Sequence, residues 1–188
     1  VNDHPPTAAS ASPAVGAAAG GAAAVGAVVV CGVSGSGKST VAAAAAALAG
    51  VAYVDADDLH PPANVAAMAA GVPLTDADRR PWLAAVGAAL RDSAPCVMAC
   101  SALRGAYREQ LRRDAPAARF VLLDAPLPEL ERRLRHRSDH FMPASLLASQ
   151  LATLEAPDPA EGVLVLDATR PIAELAAAVA ALLAPRVD

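Results

Sequence analysis

Short, almost uninterrupted apolar runs recur along the chain: AVVVC at 27–31, VAYVD at 51–55, PCVMAC at 95–100, RFVLLD at 119–124 and VLVLD at 163–167. They are too short for helices and rich in β-branched or large aliphatic residues, the pattern of strands covered on both faces. Between them lie stretches of helical character at 39–49, 61–70, 76–91, 104–114, 126–137, 143–155 and 171–183, several opened by Pro or by an Asp, Ser or Thr cap. Strands alternating with helices predict an α/β fold, a parallel sheet with helices on both faces.

The regular pattern begins only after residue 26. Residues 1–26 are Ala, Gly, Pro and Ser with almost no large side chains, too little apolar surface to offset the entropy of ordering, and they read as a disordered leader. The chain of 188 residues then suits one domain, 27–188. Ala14 to Val33 carries no charge, but Ala and Gly drive insertion weakly, no basic segment precedes the run as a secretory signal requires, and its end is needed for a strand. A membrane span is not expected.

Composition narrows the chemistry. The net charge of −4 and pI near 5.5 argue against sequence-independent nucleic-acid binding, which needs a basic stripe. Three cysteines, Cys31, Cys96 and Cys100, fall in or at the end of apolar runs and read as structural thiols of a reducing, cytoplasmic setting. Lys38 is the only lysine among 15 Lys and Arg residues. The skew toward Ala, Gly, Pro and Arg looks like GC-rich base composition, so a surviving lysine marks a place where a planar guanidinium cannot replace a compact ammonium.

That place is a phosphate loop. Gly32-Val33-Ser34-Gly35-Ser36-Gly37-Lys38-Ser39 fits G-x-x-x-x-G-K-[ST], followed by Thr40, directly after one expected strand and before one expected helix. The glycines let successive N–H groups face phosphate oxygens, and the helix N-terminus adds partial positive charge. Lys38 is expected at the β- and γ-phosphates of ATP and Ser39 at Mg²⁺. A GTP switch is disfavoured, because an Asn-Lys-x-Asp segment needs a second lysine.

Asp55 and Asp57 lie two apart at a strand end, which predicts that both project on one side, toward the phosphate loop. The segment that follows continues with His60, Asn64, Met68, Gly71, Pro73, Leu74, Asp76, Asp78, Arg79, Pro81, Trp82 and Leu83. With CSALRGAYREQLR (100–112), RLRHRSDHF (133–141) and LASQLATLEAP (147–157), this resembles the gluconate kinases of the P-loop small-molecule kinase superfamily from residue 27 onward. Ala67, Asp139 and Met142 depart from the family pattern, where lysine, glycine and an aromatic are usual.

The resemblance implies a P-loop NTPase three-layer sandwich with strand order 2-3-1-4-5, a short helical lid, and transfer of the ATP γ-phosphoryl group to gluconate. ATP, Mg²⁺ and gluconate are the implied partners, with neither nucleic acid nor membrane; a homodimer is allowed. Lys38, Asp57 and Arg137 are the expected catalytic residues, Asp57 taking the proton of the 6-hydroxyl. Asp55 joins Ser39 at the metal. His60, Arg79, Ser101 and Arg104 are expected at the sugar acid, Arg79 gripping its carboxylate. Arg133 and Arg137, four apart on one helix face, are expected at the nucleotide phosphates beside the SDHFMP lid. Asp76 and Asp78 read as helix-start charges, Trp82 and Leu83 as core, and Asp124 and Asp167 rank below Asp55 as metal acids. Two alternatives stand beside this reading: a kinase of another small hydroxylated metabolite, and a protein that binds ATP without turnover.

Overall fold

The computed structural model describes residues 26–135 and 144–184. The leader, apart from its last residue, and the lid segment with Arg137, Asp139 and Met142 lie outside them.

Five strands, β1 (Val28–Cys31), β2 (Ala52–Asp55), β3 (Cys96–Ala99), β4 (Arg119–Asp124) and β5 (Leu164–Asp167), form one parallel sheet in the order β2-β3-β1-β4-β5. Among the described residues seven α-helices connect and cover them: α1 (Lys38–Ala49), α2 (Pro62–Ala69), α3 (Asp76–Asp92), α4 (Gly105–Asp114), α5 (Leu127–Arg135), α6 (Ala144–Thr153) and α7 (Ile172–Ala181). The expected elements are all present among the described residues, with ends that differ by one to a few residues. At α3, Thr75 and Asp78 form a reciprocal capping box, as the helix-start reading of Asp78 anticipates.

Period-two alternation divides the central strand between two cores. Val29 and Cys31 point to one face, against Trp82, Val86 and Leu90 of α3, Leu111 of α4 and Phe120. Val28 and Val30 point to the other, against Val41, Ala42, Ala45 and Ala46 of α1 and Leu175, Ala176 and Val179 of α7. A smaller cluster, Val33, Leu103, Leu130 and Leu147, seats α5 and α6 over the carboxyl edge of the sheet. That edge is where ligands bind in open α/β sheets.

All three cysteines are free and buried, and burial pushes the Cys31 thiol up to about 12. They are packing residues, as expected. Among the described residues no helix is long and apolar enough to cross a membrane.

Candidate active site

The phosphate loop runs from the end of β1 into α1. Gly32 sits at φ 142° and Gly37 at φ 94°, conformations that L side chains rarely adopt. A Cβ on Gly32 would also lie 2.7 Å from Ser36 Oγ and 2.9 Å from the Leu123 carbonyl. The loop closes so tightly that Ser36 is buried and its hydroxyl has no hydrogen-bond partner. An unpartnered buried hydroxyl among glycines at a helix N-terminus suits an incoming anion. Lys38 Nζ reaches back to the Val33 carbonyl at 3.1 Å, so the ammonium is held over the loop.

Ser39 and Asp55 are in direct contact. Ser39 Oγ donates to Asp55 Oδ2 at 3.1 Å, Tyr53 OH donates to the same oxygen at 2.8 Å, and the Asp57 amide donates to Asp55 Oδ1 at 3.1 Å. Burial and the neighbouring Asp55 push the Tyr53 phenol up to about 12, so it stays a donor. Among the described residues no group of three or more His, Cys, Asp or Glu could hold a metal. A serine hydroxyl and one carboxylate are nevertheless the hard oxygen donors that Mg²⁺ uses when phosphates and water complete its shell.

The structure corrects one step of the sequence argument. Asp57 does not extend the strand beside Asp55: it lies in a 3₁₀ turn, Ala56–Leu59, that Asp55 caps. The turn, rather than strand alternation, aims Asp57 into a cavity whose walls include Ser34 and Lys38 of the loop, His60, Met68, Pro73, Leu74, Arg79, Trp82, Ser101, Leu103 and Tyr107, with Ser149 and Gln150 from α6. Trp82 Nε1 donates to the Ala56 carbonyl at 2.7 Å, tying α3 to that turn. Trp82 is buried core, as expected, and it also stacks on His60, with centroids 4.4 Å apart and planes 7° apart. Burial holds the His60 imidazole below its usual value, with Asp57 opposing and Arg79 reinforcing the shift. Asn64 fixes the corner, donating to the Asp78 carbonyl at 2.8 Å and lying 3.4 Å from His60 Nδ1.

Arg79 lies on the cavity wall, 18% exposed, with Nη1 3.5 Å from Tyr107 OH and 3.8 Å from Asp76. Arg80 is exposed. Ser101 is on the wall too, and its carbonyl accepts from the Gly32 amide at 3.3 Å. Arg104 is different. It is absent from the cavity wall and pairs with Asp76 at 2.6 Å and Glu155 at 3.0 Å, because the helix it precedes turns its side chain toward the two carboxylates. Asp76, read as a helix charge, is thereby the centre of a network with Arg104, Tyr107 and Arg79.

The other side of the loop opens on a second cavity, lined by Gly35, Ser36, Gly37, Thr40 and Val41 together with Arg132, Arg133, Ala168, Arg170, Ile172 and Leu175. Arg133 joins its walls: Nε to Glu129 at 2.6 Å, Nη1 to the Ser36 carbonyl at 3.2 Å and Nη2 to the Ala168 carbonyl at 2.7 Å. The intrahelical pair and the loop contact therefore coexist. Arg132 pairs with Glu129 and Arg135 with Glu131, both arginines more than half exposed. Arg137 lies outside the described residues. Asp124 and Asp167 are exposed, and Asp167 caps its own turn through Thr169.

Sequence reasoning missed Tyr107, Gln150, Arg132, Arg170 and Ile172 as wall residues. The only signal for the first two was their place inside segments of family resemblance, and nothing local marked the others.

A glycine-rich loop between a buried strand and a helix, with a Ser–Asp pair beneath it and cavities on both sides, defines a P-loop phosphotransferase fold. The AAA-domain family profile matches residues 28–157. A gluconokinase of Gluconobacter oxydans is 53% identical over 140 residues, 72% of this chain and 79% of that protein. The thermoresistant gluconokinase of Escherichia coli is 41% identical over 149 residues, 77% of this chain and 85% of that protein. Among solved structures, a gluconokinase from Sinorhizobium meliloti superposes with a TM-score of 0.77 at 46% identity, covering 84% of this chain and 91% of that one. The adenylyl-sulfate kinase of Mycobacterium tuberculosis is more distant, with a TM-score of 0.60 at 26% identity over 84% of this chain and 96% of that one. The chain belongs to the gluconokinase family.

Proposed function

We infer that the chain transfers the γ-phosphoryl group of ATP to gluconate, giving 6-phosphogluconate and ADP. The observation that carries the assignment of the site is the position of the phosphate loop between two cavities: Ser34 and Lys38 line one, while Gly35, Ser36, Gly37 and Thr40 line the other. The first is the acceptor site and the second the nucleotide site.

In the acceptor site, Asp57 accepts the proton of the 6-hydroxyl as that oxygen bonds to the γ-phosphorus and the bond to the β,γ-bridging oxygen breaks. Arg79 grips the gluconate carboxylate with its fork, and His60, held neutral by burial, and Ser101 hydrogen-bond to hydroxyls. Lys38 turns from the Val33 carbonyl to the β- and γ-phosphates, and the loop amides hold the leaving ADP. Ser39 and Asp55 would hold Mg²⁺, which would supply neutralisation of the phosphate charge. Arg133 serves the phosphates from α5, and Arg137 is assigned to them as well. Arg104 acts through Asp76 on this reading, not on the substrate. Positioning and charge neutralisation carry the rate, with no covalent intermediate on the protein.

The surplus of acidic residues and three free buried thiols support a cytoplasmic enzyme whose partners are small molecules, and the one five-stranded sheet supports a single globular unit from residue 27 onward. ADP release, measured across a panel of sugar acids and shikimate, tests the function: gluconate is expected to give the highest kcat/KM. Release independent of any acceptor, or faster with another acceptor, contradicts it.

A further inference from the structure

Strand β2 carries a tyrosine beside Ser39 and Asp55 that the reaction scheme leaves without a task. Tyr53 and Asp55 are two apart on the strand, and their register partners in β3, Val97 and Ala99, belong to the core that α1 and α7 cover. Both side chains therefore project on the face where α1 begins with Lys38 and Ser39. The ring of Tyr53, 39% exposed on an edge strand, suits a half-covered sheet position, and phenylalanine would suit it as well. What tyrosine adds is the hydroxyl, which donates to Asp55 Oδ2 at 2.8 Å.

The two donors on that oxygen do different things. Ser39 Oγ gives its hydrogen to Asp55 Oδ2 at 3.1 Å, which turns the lone pairs of the serine away from the carboxylate, where a hard cation can take one. Tyr53 reaches the same oxygen from the strand itself, while the Asp57 amide holds Oδ1 at 3.1 Å. With a donor on each oxygen supplied by β2 and the turn after it, the plane of the carboxylate is set without help from the serine. Ser39 is thus aimed by a carboxylate that is already aimed, the way outer hydrogen bonds orient the ligands of a metal.

We propose that Tyr53 is a positioning residue for the metal site, its hydroxyl fixing the Asp55 carboxylate so that Asp55 and Ser39 present their oxygens to Mg²⁺ in one arrangement. This rests on the reading of Ser39 and Asp55 as the residues that would hold Mg²⁺. A residue that only filled the edge of the sheet would need its ring and not its hydroxyl.

Tyr53→Phe separates the two roles, because it removes the hydroxyl and keeps the ring. Binding of the β,γ-imido analogue of ATP, which is not turned over, is measured by calorimetry on the full chain, once in excess Mg²⁺ and once in EDTA. Wild type, Tyr53→Phe, Asp55→Asn and the double variant are compared, with melting temperature as the folding control. The ratio of the two dissociation constants is the gain in affinity that Mg²⁺ brings. Tyr53→Phe is expected to cut that gain by about tenfold, the low end for a partner that orients a metal ligand, because Ser39 and the Asp57 amide still hold the carboxylate. The affinity in EDTA should stay at the wild-type value. In the Asp55→Asn background the same change should do nothing further, since Tyr53 acts through that carboxylate. A wild-type gain in Tyr53→Phe, whatever its melting temperature, overturns the proposal, and so does a loss of equal size with and without Asp55. If Tyr53→Phe does not fold, Tyr53→Leu, which also lacks the hydroxyl, is judged by the same ratio. Asp55→Asn distinguishes the two failures. If it loses the gain and the Tyr53 variant does not, only the role of Tyr53 is wrong, whereas an undiminished gain in both removes Ser39 and Asp55 from the metal site as well.

Discussion

Replacing Glu161 by Gln is expected to cost far more stability than its place in a short 3₁₀ turn suggests. Arg108 is 1% exposed and grips Glu161 with Nε at 2.7 Å and Nη2 at 2.9 Å, while its Nη1 donates to the carbonyls of Ala102 and Leu103, both at 3.2 Å. The amide keeps the shape but loses the charge, and turns an NH₂ toward one guanidinium donor. Breaking one side of a buried pair costs about 3–5 kcal/mol. Glu161 is 19% exposed, which places the loss at the lower end, about 3 kcal/mol. At about 2–4 °C per kcal/mol for a chain of this size, the melting temperature falls by about 6–12 °C near neutral pH. The exposed pair Arg113–Glu109, 64% and 68% exposed, is the internal control: Glu109→Gln is expected to cost at most about 1 kcal/mol. The acid limb gives a second reading. Hydrogen bonds from Arg108 lower the Glu161 carboxyl from 4.5 to about 2, so its contribution is complete above 4.5 and is lost as pH falls toward 2. The gap between wild type and Glu161→Gln should narrow over that window. A melting shift no larger than that of Glu109→Gln refutes the argument.

Lys38→Arg is expected to reduce turnover severely despite the retained charge, because a broad planar fork cannot take the place of the compact ammonium that sits 3.1 Å from the Val33 carbonyl; near-wild-type ADP release would contradict the lone-lysine reasoning. Asp55→Asn should raise the Mg²⁺ concentration needed for half-maximal rate, and an unchanged Mg²⁺ titration would take Asp55 out of the metal shell. Burial lowers the His60 pKa below 6.5, so the folded state binds that proton less readily than the unfolded one. Its contribution is whole above about pH 6.5 and declines as pH falls through the lowered value; His60→Asn should flatten the melting-temperature profile there, and an identical profile would refute the burial argument.

The sheet was legible because five short apolar runs, each followed by a stretch of helical character, leave few arrangements. The phosphate loop was legible because its glycines, lysine and serine are demanded by local backbone geometry. What was not legible depends on side chains that meet across the fold. Nothing near Arg104 says that it turns to Asp76 and Glu155, 28 positions before it and 51 after it. Asp57 enters the cavity through a 3₁₀ turn that the period of a strand cannot foretell. Gln150 meets Ser34 across 116 positions, and Arg170 and Ile172 become cavity walls only when the start of α7 and the turn before it pack beside the loop.

The assignment of Asp57 as proton acceptor is the centre of the account, and gluconate-dependent ADP release by Asp57→Asn tests it most directly. The variant keeps the size of the side chain and much of its hydrogen bonding while removing the charge. Turnover should fall by roughly a hundredfold or more, as for a general base, with Mg²⁺·ATP affinity little changed, since the proposed mechanism assigns that to Lys38, Ser39 and Asp55. Wild-type turnover on gluconate in Asp57→Asn, or a lost Mg²⁺ dependence in that variant rather than in Asp55→Asn, would contradict it.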